Sequence, residues 1–210
     1  GGPLLQAATR SADYDKAEGT FAAMAQGSVG EAFNHLQWAI QDELNVHRVV
    51  LSWRAWAMLD MVGQEQAHTL LRQSVRFCVK SEKGCIEANR QPSRIRTVLP
   101  KLLDQYNLVG RKLGTRKADD AWVDALARTI VRSDAEQAAD AAAAALAEGF
   151  EPDAIGEAIS LASNALVLHD PGRTQARPGK PVGSVHGDTV GVHASDSANA
   201  WRNIARVSNQ

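Results

Sequence analysis

Apolar residues return at helical spacing along most of the chain. Phe33, Leu36, Ile40, Leu44, Leu51 and Met58 fall on one line of a helical wheel. Ser28 with Glu31 forms a capping box ahead of that line, and Gly63 fits its stop. The pattern predicts one long helix between Ser28 and Gly63. A second is expected from about Gln64 to Lys80, and a third from Pro92 to about Leu113, kinked at Pro100. Asp119 or Asp120 opens a fourth to about Arg132, and Ser133 or Asp134 a fifth that ends at Gly149. Pro152 starts a sixth that ends near His169, and a last helix is expected from Ser195 or Asp196 through Trp201 and Ile204. Ahead of Ser28 only a short helix around Ala17 to Ala25 is expected. Residues 1–27 therefore read as an N-terminal extension and 28–210 as a single helical domain. Nothing alternates with strand period, so the expected class is all-α, a multi-helix bundle of about six to seven helices.

One stretch departs from the helical pattern. Residues 170–194 hold five glycines, three prolines and several basic side chains. An irregular connection this long is uncommon in a compact domain and marks either a working loop or a disordered linker. Val185, Val190, Val192, His186 and His193 depart from linker composition and favour the working loop.

Composition narrows the partners. A formal net charge of -1 gives no electrostatic reason to expect nucleic acid or an anionic membrane as a partner. No apolar run reaches the roughly 20 residues of a membrane-spanning helix. Cys78 and Cys85 do not make a disulfide framework, and reduced thiols suggest a cytoplasmic protein. The chain opens Gly1-Gly2-Pro3, so a removed targeting segment stays open. A small-molecule substrate and a homo-oligomer are the expected partners.

The candidate chemistry lies on the first long helix and the loop. His47 falls mid-line among apolar residues, with Glu43 one turn before it and Arg54 close to the same line. Charge on an apolar line needs a reason, because burying it unpaired is costly. Glu43 would orient His47 and raise its basicity, and Arg54 would hold an anionic substrate or a carboxylate. His169 ends the sixth helix, and His186 and His193 follow in the loop. With His47 they are the candidate ligands for a transition metal ion, Fe, Zn, Cu or Mn. Arg173 and Arg177 are candidate cofactor-binding residues if the loop closes over a site. His35 and His68 lie off these lines. No phosphate loop, nucleophile elbow or dinucleotide fingerprint is present.

Residues 141–162, AAAAALAEGFEPDAIGEAISLA, resemble the helix–Gly–helix unit of AhpD-like, carboxymuconolactone-decarboxylase-type proteins through Gly149, Pro152, Ile155, Glu157 and Ala158. The resemblance covers about a tenth of the chain and implies an all-α, often oligomeric scaffold. The CxxC dithiol of the peroxidase members is missing, so that activity does not carry over.

Three functions follow as expectations. The first is a metal-dependent oxidoreductase with its site between the first long helix and the 169–193 loop. The second is a metal-free acid–base enzyme using the same residues. The third is a non-catalytic helical interaction or assembly module, its charged residues serving as structural ion pairs.

Overall fold

Helix caps set most of the boundaries. A computed structural model describes residues 1–184 and 190–209; among them the chain forms α-helices and no strand. In order these are α1 (Gly2–Arg10), α2 (Tyr14–Met24), α3 (Val29–Ile40), α4 (Val46–Ala57), α5 (Leu59–Val62), a 3-10 turn at Gln64–Gln66, α6 (Ala67–Glu87), α7 (Ile95–Gln105), α8 (Asp120–Arg132), α9 (Ala135–Ala147), α10 (Pro152–Leu168) and α11 (Val190–Val207). No helix among the described residues is long and apolar enough to cross a membrane. The all-α class holds, but six to seven helices is too few. Residues 1–27 carry α1 as well as α2, and the expected Ser28–Gly63 helix is three segments.

The break in that helix falls at Asp42 and Asn45. Ser28 and Glu31 do form the capping box of α3. Asp and Asn side chains compete with helical backbone bonding and favour turns and caps. Here Asn45 caps α4, its side chain accepting from the His47 amide, while Asp42 turns inward and is buried. The turn over residues 41–45 resets the helical phase. Val46, Arg48, Val49, Ser52 and Ala55 face the interior, whereas Leu44, Leu51 and Met58 face out.

Contacts divide the chain into two compact units. The first spans Gly1–Leu99 with Val207–Asn209. In it α1 packs chiefly on α3 and then on α2, and α6 lies against α2, α3 and α4. Leu5, Phe21, Phe33, Leu36, Ile40, Leu71, Val75 and Val79 fill its core. The second unit spans Pro100–Arg206. There α8 packs on α10 through Val123, Ala127, Ala158 and Ala162, and Trp122 stacks on Phe150 at 3.9 Å between ring centroids. Asp134 with Gln137 makes a second capping box at α9, and Gly149, at φ +86°, turns the chain toward α10.

α11 begins at Val190, earlier than the expected start near Ser195. It runs antiparallel along α10, as Ser195 donating to Asn164 and Arg202 bonding Asp153 show. A Cβ on Gly191 would lie 2.7 Å from the Val167 nitrogen, so only glycine allows the two backbones to approach so closely. Between the two helices, the described residues 170–184 fold on themselves. The Arg173 amide donates to the Ser184 carbonyl (3.2 Å), Gly183 donates to Arg173 (2.9 Å), and Arg177 and Lys180 exchange backbone bonds.

Candidate functional site

Glu43 and His47 do not share a helix turn. Glu43 sits in the turn before α4, where its carboxylate accepts from the Leu44 amide, and His47 is in the first turn of α4. His47 is exposed, with its ring edge-on to Phe77 at 5.9 Å, and Arg54 is exposed two turns further along α4. The expected line of charges inside an apolar face is therefore an outward line. The physical reason is the phase reset at Asp42 and Asn45.

The other candidates lie on the second unit. His169 is the exposed C-cap of α10. His193 is half-buried in the first turn of α11 rather than in a loop. Arg173 is half-buried and Arg177 is exposed, both within the folded 170–184 segment. His186 lies outside the described residues. Among the described residues there is no group of three or more His, Cys, Asp or Glu side chains that could hold a metal ion.

The most deeply buried ion network begins one residue away from the sequence candidate. Arg48, next to His47, is completely buried (0% exposed) and donates to Glu82 at 2.6 Å and to the carbonyls of Ala39 and Cys78. Arg96 reaches the same Glu82 oxygen and also donates to the Asp42 carbonyl at 3.0 Å. Asp42, 2% exposed, takes a two-pronged bond from Arg10 (2.6 and 2.7 Å) and a further one from Gln6. Gln6, Arg10, Asp42, Arg48, Glu82 and Arg96 thus tie α1, the 41–45 turn, α4, α6 and α7 together. Burial pushes the Glu82 carboxyl up, but the bonds from Arg96 and Arg48 outweigh it and hold the group below its usual range. Burial also pushes the neighbouring Cys78 thiol up to about 11. Three arginines face two carboxylates, with Arg10 partly in solvent, and paired burial of this kind joins helices rather than presenting a reactive group. Sequence reasoning missed it because Asp42, Glu82 and Arg96 are far apart along the chain. The available signal was Arg48 at the spacing of Ser52 and Ala55.

A cavity of about 160 Å³ opens in the first unit, lined by Phe21, Val29, Ala32 and Leu71 with Glu65 and His68. His68 stacks on Phe21 at 5.8 Å, an aromatic contact that accounts for its place there.

The outward side of α4 and α5, with Leu44 in the turn before them and Met58 at their junction, has a different character. Leu44, His47, Leu51, Arg54, Met58 and Met61 succeed one another at alternating steps of three and four, and all are exposed. Leu44 is 76% and Met61 84% exposed, and Val62 lies beside them. Alternating three-and-four spacing is the seam spacing of paired helices. Large exposed apolar patches on folded domains often mark interaction sites.

Comparison with protein-family models, with curated proteins and with solved structures finds no match.

Proposed function

We propose that the chain is a helical assembly module that pairs with a second copy through the outward face of α4 and α5. One observation carries the reading: the exposed seam of Leu44, Leu51, Met58 and Met61, with His47 and Arg54 set between them. The seam suits a copy of itself. In an antiparallel two-fold arrangement, position by position, Leu44 meets Met61, His47 meets Met58, and Leu51 meets Arg54. Each basic side chain then lies on an apolar partner rather than on another cation, and the Arg54 stem adds apolar surface. A two-fold contact of one patch with itself is the commonest route to a dimer. His47 and Arg54 are interface residues in this reading, and the buried ion network is the frame that holds α4 in place.

Sedimentation equilibrium tests it. The unmodified protein should show twice the monomer mass at tens of micromolar, and Leu51→Glu with Met58→Glu should give a monomer of unchanged helix content. Leu4→Glu, at an exposed apolar residue on α1, serves as control and should leave the dimer intact. A monomeric unmodified protein sinks the proposal, as does a dimer indifferent to the double substitution.

A further inference from the structure

Both units begin their core with three helices in the same order, and the correspondence extends to single residues. Shifting the chain by 122 positions brings α1, α2 and α3 onto α8, α9 and α10. Leu4 then meets Leu126, Arg10 meets Arg132, Ser11 meets Ser133, and Gly27 meets Gly149. Several buried positions coincide at the same shift, Leu5 with Ala127, Phe21 with Ala143, Ala32 with Ala154, Phe33 with Ile155, Leu36 with Ala158 and Ile40 with Ala162, while buried Thr9 and Ala39 meet exposed Val131 and Leu161. An Asp N-cap opens the second helix in each, Asp13 for α2 and Asp134 for α9. The packing order also agrees. In each set the first helix packs most on the third, less on the second, and the second least on the third.

The outer side of the second helix carries one more match. Glu18 on α2 pairs with Arg72 and Arg76 of α6. The residue 122 further on is Asp140, on α9. It accepts from Tyr106 Oη (3.0 Å) and Gln105 Nε2 (3.1 Å) at the end of α7. A further bond, from Arg111 to the Ala147 carbonyl at 2.7 Å, fastens the chain after α7 to α9. Coinciding buried positions follow from any amphipathic helix set in register. A coinciding carboxylate that anchors a neighbouring element does not, because its outer position is free to vary.

We infer that α1–α3 and α8–α10 are two copies of one three-helix unit, and that the carboxylate at its matched position, Glu18 or Asp140, is the unit's anchor for a neighbouring helix, α6 along α2 in the first copy and the end of α7 at α9 in the second. The partner it takes is a helix or helix end that offers hydrogen-bond donors: two arginines one turn apart in the first copy, an amide and a phenol in the second. This inference does not depend on the dimer proposed above. The docking points lie on α2 and α9, whereas the dimer face lies on α4 and α5.

If the sites are equivalent, the second should accept the chemistry of the first. Gln105→Arg would give Asp140 the charged donor that Glu18 has, and the full-length variant should melt higher by a few degrees, about 1–4 °C for an exposed ion pair in a chain of this size. Asp140→Ala should abolish that gain and raise hydrogen exchange in residues 100–106. Glu18→Ala should raise exchange in residues 67–80 of α6. All variants are to be compared at equal circular dichroism at 222 nm, so that global unfolding is separated from local release. Unchanged exchange over residues 100–106 in Asp140→Ala, or an equal gain from Gln105→Arg in the presence and absence of Asp140, would overturn the inference.

Discussion

Replacing Glu82 by glutamine tests whether the buried network is a frame element. The side chain keeps its size and loses its charge, leaving Arg48 at 0% exposure with only carbonyl and amide oxygens to face. Removing one partner of a buried ion pair costs about 3–5 kcal/mol, because the remaining charge stays buried without compensation. An exposed pair such as Lys83 with Glu87, at 4.0 Å, contributes at most about 1 kcal/mol. Urea titration read at 222 nm separates the two cases. With a slope of about 1–3 kcal/mol per molar, Glu82→Gln should lower the midpoint by more than about 1 M, while Glu87→Gln should leave it nearly unchanged. The double variant Arg48→Met with Glu82→Leu should recover much of the loss, since apolar packing of similar volume replaces a buried pair well. A loss below about 1 kcal/mol in Glu82→Gln would refute the reasoning and mean that water reaches Arg48.

Acid should act on the same group. Because the folded carboxyl of Glu82 is held below its usual value, its contribution is fully present above the unfolded glutamate range near about 4.3 and is lost as pH falls through the folded value. Urea midpoints between pH 7 and pH 3 should therefore converge for the unmodified protein and Glu82→Gln at the acid end; a constant gap would contradict this. Asp153, held well below its usual range by Arg202 and Arg206, fastens α11 to α10. Asp153→Asn should raise hydrogen exchange in residues 198–206 without changing exchange in α6, and equal protection in both proteins would refute the fastening role. The buried Cys78 thiol, pushed up to about 11, should resist a thiol reagent at pH 8 in the folded protein, while half-buried Cys85 reacts first. Two equal fast phases would contradict that ordering.

Which parts of this were legible in the sequence follows from where the information is local. Caps are local, so Ser28, Asp119, Asp134 and Pro152 gave their helices to within a residue or two. The break at residues 41–45 was hidden because its cause is tertiary: Asp42 turns in to meet Arg10, thirty-two residues earlier. That single break turned the apolar line of Leu44, Leu51 and Met58 outward, and with it His47 and Arg54. Arg48 was concealed for the same reason, since a continuous helix puts it off the core line. α1 was missed because Gly1, Gly2 and Pro3 read as a tail, although Leu5 and Thr9 are wholly buried. The matched three-helix units were obscured by composition. α9 is largely alanine, so its agreement with α2 rests on position rather than on distinctive side chains.

The separation of partners along the chain also sets an order of folding. Contacts within α1–α3, and within α8–α10, join residues close in sequence and close quickly, since short loops cost little entropy. Glu18 must wait for Arg72, fifty-four residues later, and Arg48 for Glu82, thirty-four later. During synthesis α1–α3 can therefore assemble before α6 has left the ribosome, whereas the end of α7 has already emerged when α8–α10 are made. Until α6 arrives, Arg48 remains in water, so the large desolvation cost of its burial falls on the last step. Substitutions at Glu82 should accordingly speed unfolding more than they slow folding, whereas those at Leu5 or Leu36 should slow folding itself.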